Sequence, residues 1–173
     1  KKIGDGPNGE VYLESYKDLD EKRYCAAKII KLPGDLHSLE KLEKDRPEDI
    51  TQESWLHRIA SEIGHKLNKV KLMRGSGNVA FLEDYKIIKK KDGYVVYIRT
   101  ELLTSAQEFI QNGAQNKETA LRFCIQISDA VRQYEKAGLL HRNIKPSNIF
   151  IDNHGDFKLA DPAFFKLGIS NPE

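Results

Sequence analysis

The chain predicts an α+β fold in two parts: an antiparallel sheet with one main helix, followed by the start of a helical region. Three observations carry this. Runs rich in β-branched and aromatic residues fill much of the first hundred positions. Apolar residues recur at spacings of three and four in two long segments, the mark of a helix with one buried face. The character then changes from strands to helices after residues 101–105, which read as a hinge between residues 1–100 and residues 106–173.

The elements follow in order. Glu10-Val11-Tyr12-Leu13 comes after a glycine-rich turn and reads as a strand, and Arg23 to Ile30 as its hairpin partner. Pro33 to Pro47 is charged and punctuated by Pro33-Gly34, which predicts a loop with a short helix over Leu36 to Lys44. Leu56, Ile59, Ile63, Leu67 and Val70 share one face of a helix from about Asp49 to Val70. Val79 to Ile88 and Tyr94 to Thr100 predict a second hairpin through Lys91-Asp92-Gly93. Ala106 to Gln111 predicts a short helix. Glu118 to Lys136 predicts a long one, with Leu121, Cys124, Ile125, Ser128, Val131 and Tyr134 inward and Gly138 as C-cap. Ile149–Ile151 and Phe157–Leu159 read as short strands around the turn Asp152-Asn153-His154-Gly155.

Composition excludes more than it identifies. The chain has 173 residues, 28 Lys and Arg against 26 Asp and Glu, and a net charge of +2 with the signs interspersed. Bulk charge therefore gives no reason to expect nucleic acid. Cys25 and Cys124 lie far apart with no C-x-x-C spacing, which points to a reduced, cytoplasmic setting. The longest apolar runs are too short to span a bilayer.

Four segments carry chemistry. Gly4, Gly6, Gly9 and Val11 make G-x-G-x-x-G-x-V, in which glycines let backbone N–H groups approach phosphate oxygens with no Cβ in the way; a plain tight turn would look the same. Lys28 ends Cys25-Ala26-Ala27-Lys28 on the second strand. Residues 141–148 read His-Arg-Asn-Ile-Lys-Pro-Ser-Asn directly after the long helix. Asp161 lies thirteen positions beyond Asn148, in Asp161-Pro162-Ala163.

Together these segments resemble the protein kinase family, serine/threonine type, over nearly the whole chain. The resemblance implies a bilobal fold and an ATP and Mg²⁺ site. Lys28 would pair with the nucleotide phosphates, held by a glutamate of the next helix, for which Glu62 is the choice and Glu53 the rival. Tyr97 to Leu103 is similar to the strand and hinge that grip adenine. This makes Thr100 the gatekeeper and gives Glu101 and Leu103 main-chain contacts to the base. Val11, Ala26 and Phe150 would enclose the base, though each also suits plain core. Asn148 and Asp161 would hold the metal, and Lys145, two places after the base position, fits the serine/threonine pattern.

The departures matter as much. In the family pattern H-R-D-x-x-x-x-N the aspartate accepts the substrate hydroxyl's proton; here Asn143 stands in its place, and a neutral amide has no such capacity. Asp161-Pro162-Ala163 replaces D-F-G, so the metal-binding carboxylate survives while the packing phenylalanine and flexible glycine are gone. Two lesions in separate motifs point to a pseudokinase. An active kinase with an engineered Asn143, and a structural kinase-fold subunit without nucleotide, are the alternatives. The sequence carries no activation segment or A-P-E motif, so an incomplete kinase domain is expected, with a protein partner or further chain covering the long helix.

Overall fold

The computed structural model describes residues 1–6, 9–34, 40, 42–111 and 116–163. Five strands form one antiparallel sheet in the order β1-β2-β3-β5-β4: β1 (Lys2–Gly6), β2 (Gly9–Asp18), β3 (Glu21–Leu32), β4 (Leu82–Lys90) and β5 (Gly93–Glu101). Between β3 and β4 runs helix α1 (Gln52–Leu72). The residues that follow give β6 (Thr104–Ser105), α2 (Ala106–Gln111), α3 (Lys117–Lys136), β7 (Ile149–Ile151) and β8 (Phe157–Leu159), with β6, β7 and β8 in a second antiparallel sheet. This is the α+β, antiparallel-sheet arrangement the sequence predicts.

Helix α1 begins at Thr51, whose Oγ1 accepts the Ser54 N–H at 3.3 Å. The side chain thereby satisfies one of the helix's orphan donors. Its expected face is the one it buries: Leu56, Ile59, Ile63, Leu67 and Val70 join Ile30, Leu32, Val96 and Ile98 of the sheet in one core. Each such aliphatic side chain contributes about 1.5–3 kcal/mol when fully removed from water, which far exceeds helix propensity. Tyr85 of β4 ties sheet to helix by donating to the Gly64 carbonyl at 3.2 Å. The predicted helix over Leu36 to Lys44 falls partly outside the described residues; residues 40 and 42–44 are helical, and Leu42 accepts the Trp55 indole N–H at 3.1 Å.

The inward face expected for α3 is corrected by the structure. Of that face only Tyr134 is buried as expected; Leu121, Cys124, Ile125, Ser128 and Val131 are exposed, and Phe123, Ile127 and Ala130 turn toward the core instead. Apolar residues line both sides of this helix, and spacing alone does not say which stripe the neighbours take. The second sheet takes the Phe123 side: that ring meets Phe157 edge-on at 5.2 Å, and Gln126 grips both Asp156 and the Phe157 N–H. The helix ends at Ala137, with Gly138 beyond it at φ +64° in the left-handed region a glycine enters freely.

A second correction concerns residues 79–81, read as the start of β4. They belong instead to a junction with the second sheet. Val79 bridges Leu159, the Ala80 N–H donates to Leu159 O at 3.0 Å, Leu159 N–H donates to Asn78 O at 2.8 Å, and the Asn78 amide donates to Phe157 O at 2.9 Å. Also, Lys2–Gly6 is a strand rather than only a turn. Among the described residues no helix is long and apolar enough to cross a membrane.

Candidate nucleotide cleft

A cleft of about 430 Å³ lies between the two sheets. Its roof is the β1–β2 hairpin, from which Gly4, Gly9 and Val11 face inward; Gly6 pairs with Gly9 at the hairpin end. Gly9 has φ +114°, and a Cβ there would sit 2.3 Å from the Ile29 carbonyl oxygen. The hairpin therefore needs a glycine to lie so close on β3. Ala26 and Lys28 alternate on β3 to face the same space.

The far wall is the chain leaving β5. Thr100, Glu101 and Leu103 line it, and Phe150 of β7 closes the floor. Glu101 is fixed twice to Phe81, its N–H donating to Phe81 O at 3.0 Å and its carboxylate accepting the Phe81 N–H at 2.6 Å. Thr100 Oγ1 reaches the Ala26 carbonyl at 3.5 Å, so the wall is tied to β3.

The loop after α3 supplies the polar end. His141 is buried, its ring edge-on to Tyr134 at 4.9 Å, with Nε2 at 2.9 Å from Ala160 O and Nδ1 accepting the Asn143 N–H at 3.3 Å. Those two bonds define a neutral tautomer protonated on Nε2. Burial pushes its pKa below the ordinary imidazole value, against the raising effects of the Ala160 bond and the Asp161 charge. Asn148 is also buried and donates its amide to Asn143 O at 2.7 Å. Asn143 donates its own side-chain amide to Asp161 O at 2.9 Å. Asp161 itself has φ +57° and Arg142 φ +54°, both sparsely populated for non-glycine residues. Ala163 N–H donates back to His141 O at 2.8 Å, so the two motif segments are stitched together from both sides.

The glutamate expected to hold Lys28 does not do so. Glu62 pairs with Lys66 at 3.0 Å on the outer face of α1, and Glu53 with Lys89 at 2.5 Å. What α1 turns toward the cleft is apolar, Leu67 and Val70. The partner of Lys28 is Asp161, at 2.5 Å. The cleft-facing role of Leu67 and Val70 was hidden because the same spacing that marks a core helix also places them there. Lys145 lines the cleft mouth and is exposed.

With that geometry in view, comparison with known sequences decides the family. The model of the protein kinase domain matches residues 1–167. The chain belongs to the protein kinase family. It is similar to the carbon catabolite-derepressing protein kinases of Candida glabrata, 31% identical over 171 residues, and Saccharomyces cerevisiae, 26% identical over 171 residues; each match covers 99% of this chain and 22–23% of the relative. It is also similar to CBL-interacting protein kinase 8 of Oryza sativa subsp. japonica, 31% identical over 108 residues, covering 61% of this chain and 23% of that protein. The chain thus spans about a quarter of the length of the curated relatives it matches. Another similar protein, from Arabidopsis thaliana, is named a serine/threonine-protein kinase. Within this kinase domain no carboxylate stands at residue 143.

Proposed function

We propose that this chain is the nucleotide-binding part of a serine/threonine-kinase-like domain whose phosphoryl transfer is lost or strongly weakened. The observation that carries the reading is the Asn143 amide. It donates to Asp161 O in the cleft, so the position of the proton acceptor is occupied by a hydrogen-bond donor. General bases contribute roughly 10²- to 10⁴-fold to rate, which is the scale of the expected loss.

The residues present suit ATP. The glycine hairpin can approach phosphates, Val11, Ala26 and Phe150 offer an apolar slot for the base, and Lys28 stands at the phosphate end beside Asp161. Lys145 adds a cation at the mouth. They also fit a Mg²⁺ ion carried in with the phosphates. Asn148 and Asp161 both line the cleft and would hold it; Lys28 meets one oxygen of the Asp161 carboxylate, whose side chain is 43% exposed, and phosphates and water would complete the ligand set.

The test is thermal unfolding of the full-length protein with and without ATP, beside a phosphotransfer assay with γ-labelled ATP. A ligand that binds only the folded state raises Tm by mass action. The expected result is a rise that Lys28→Ala abolishes, with transfer at background. Transfer at an ordinary kinase rate, or no rise at saturating ATP, would overturn the reading.

A further inference from the structure

We infer that the inner end of the cleft binds a second ligand beside the nucleotide: a small, uncharged, mostly apolar molecule with one hydrogen-bond acceptor, anchored by the Tyr134 hydroxyl. The nucleotide reading leaves this end without a role. Tyr134 stands in the last turn of α3 and is 1% exposed, yet it lines the cleft. Its ring is fixed edge-on against His141 at 4.9 Å. Its hydroxyl makes no hydrogen bond with any described residue, and it is not one of the polar atoms sealed without solvent contact in the core, so it opens on the cleft. Nearly every buried polar group in a folded protein has a partner. A donor this deeply held and turned to open space marks a contact that a bound molecule completes.

The walls choose the kind of molecule. Leu67 and Val70 of α1, Ala80, Leu82 and Ile98 line the same cleft and are 1–7% exposed, so an apolar body among them gains by leaving water. The charged residues of the cleft stand elsewhere: Asp5 on the hairpin, Glu101 on the far wall, Lys145 at the mouth, and Lys28 with Asp161 where phosphates would lie. A charge brought among the apolar walls would be desolvated without a counter-ion. A water at the hydroxyl would face mostly apolar side chains, poor partners for it. Burial, and then the Asp161 charge, hold the phenol pKa above the ordinary tyrosine value, so the hydroxyl keeps its proton and can donate it to a carbonyl oxygen.

The experiment is a ligand-observed NMR titration of the full-length protein with acetanilide, a neutral ring carrying one carbonyl, on wild type and Tyr134→Phe, with and without saturating ATP. Tyr134→Phe removes one oxygen that has no protein partner and keeps the ring against His141, so its melting temperature is expected to match wild type within about 2 °C. Wild type is expected to bind acetanilide, and the variant to bind it about threefold to tenfold more weakly, the worth of one hydrogen bond. ATP is expected to leave the wild-type constant within about twofold. No binding to wild type, equal affinity in the two proteins, a melting temperature lowered by more than about 2 °C, or displacement of acetanilide by ATP would each overturn the inference. The nucleotide reading is untouched by any of these, since it stands or falls on the rise in Tm with ATP.

Discussion

The side-chain amide of Asn143 donates to the main-chain oxygen of Asp161 at 2.9 Å, a bond that only the NH₂ end of the amide can make. Placing a carboxylate there sets oxygen against oxygen. Asn143→Asp is therefore expected to destabilise the protein by about 1–3 kcal/mol, the scale for leaving a polar group without its partner. It is also expected to leave phosphotransfer near background, because the Asp161-Pro162-Ala163 lesion remains. Urea unfolding and the labelled-ATP assay on the variant check both halves; a stable variant with restored turnover contradicts them.

His141 links stability to pH. Burial lowers its folded-state pKa below the ordinary 6.5, so the unfolded chain binds the proton more readily. The neutral ring's contribution is fully present above about pH 6.5 and is lost as pH falls from there through the lower folded value. Melting temperatures of wild type and His141→Gln across this range isolate the effect. Their difference is expected to shrink on acidification, and a constant difference would rule the linkage out.

The outer location of Glu62 has a consequence for binding. Glu62→Ala breaks an exposed pair with Lys66 that is worth no more than about 0.5 kcal/mol. ATP affinity is expected to change by less than about twofold. A tenfold loss would mean that Glu62 reaches Lys28 after all.

Gly9→Ala probes the roof. The added methyl would meet the Ile29 carbonyl, and φ +114° is strained for any other residue. A stability loss of about 1–3 kcal/mol is expected, together with weaker ATP binding. Denaturant unfolding and calorimetry on the same preparation read the two effects separately.

Much of this molecule is visible in its residue order, and the limits are instructive. The α1 face from Leu56 to Val70 could be read because one side of that helix is apolar and the other charged. Helix α3 could not be read in the same way, since Leu121, Ile125 and Val131 are as apolar as Phe123, Ile127 and Tyr134, and the choice belongs to whatever packs beside it. Val79 and Ala80 looked like strand because they are strand-like; their partner, Leu159, is remote in sequence. In the cleft, motif spacing placed Lys28, Asn148 and Asp161 in one region. It could not supply the partner of Lys28, because that depends on which turn of α1 faces the sheet, a tertiary property with no local signal.

The junction of Asn78 and Ala80 with Phe157 and Leu159 also sets how the cleft can move. Three hydrogen bonds and a parallel bridge tie residues 78–80, the segment leading into β4, to β8 along one short line. Any motion that spares them must turn about that line as an axle. The β1–β2 hairpin, at the opposite edge of the sheet from β4, then has the longest reach from it. Amide protons of Ala80 and Leu159 should accordingly exchange with solvent far more slowly than those of β1, whatever occupies the space between.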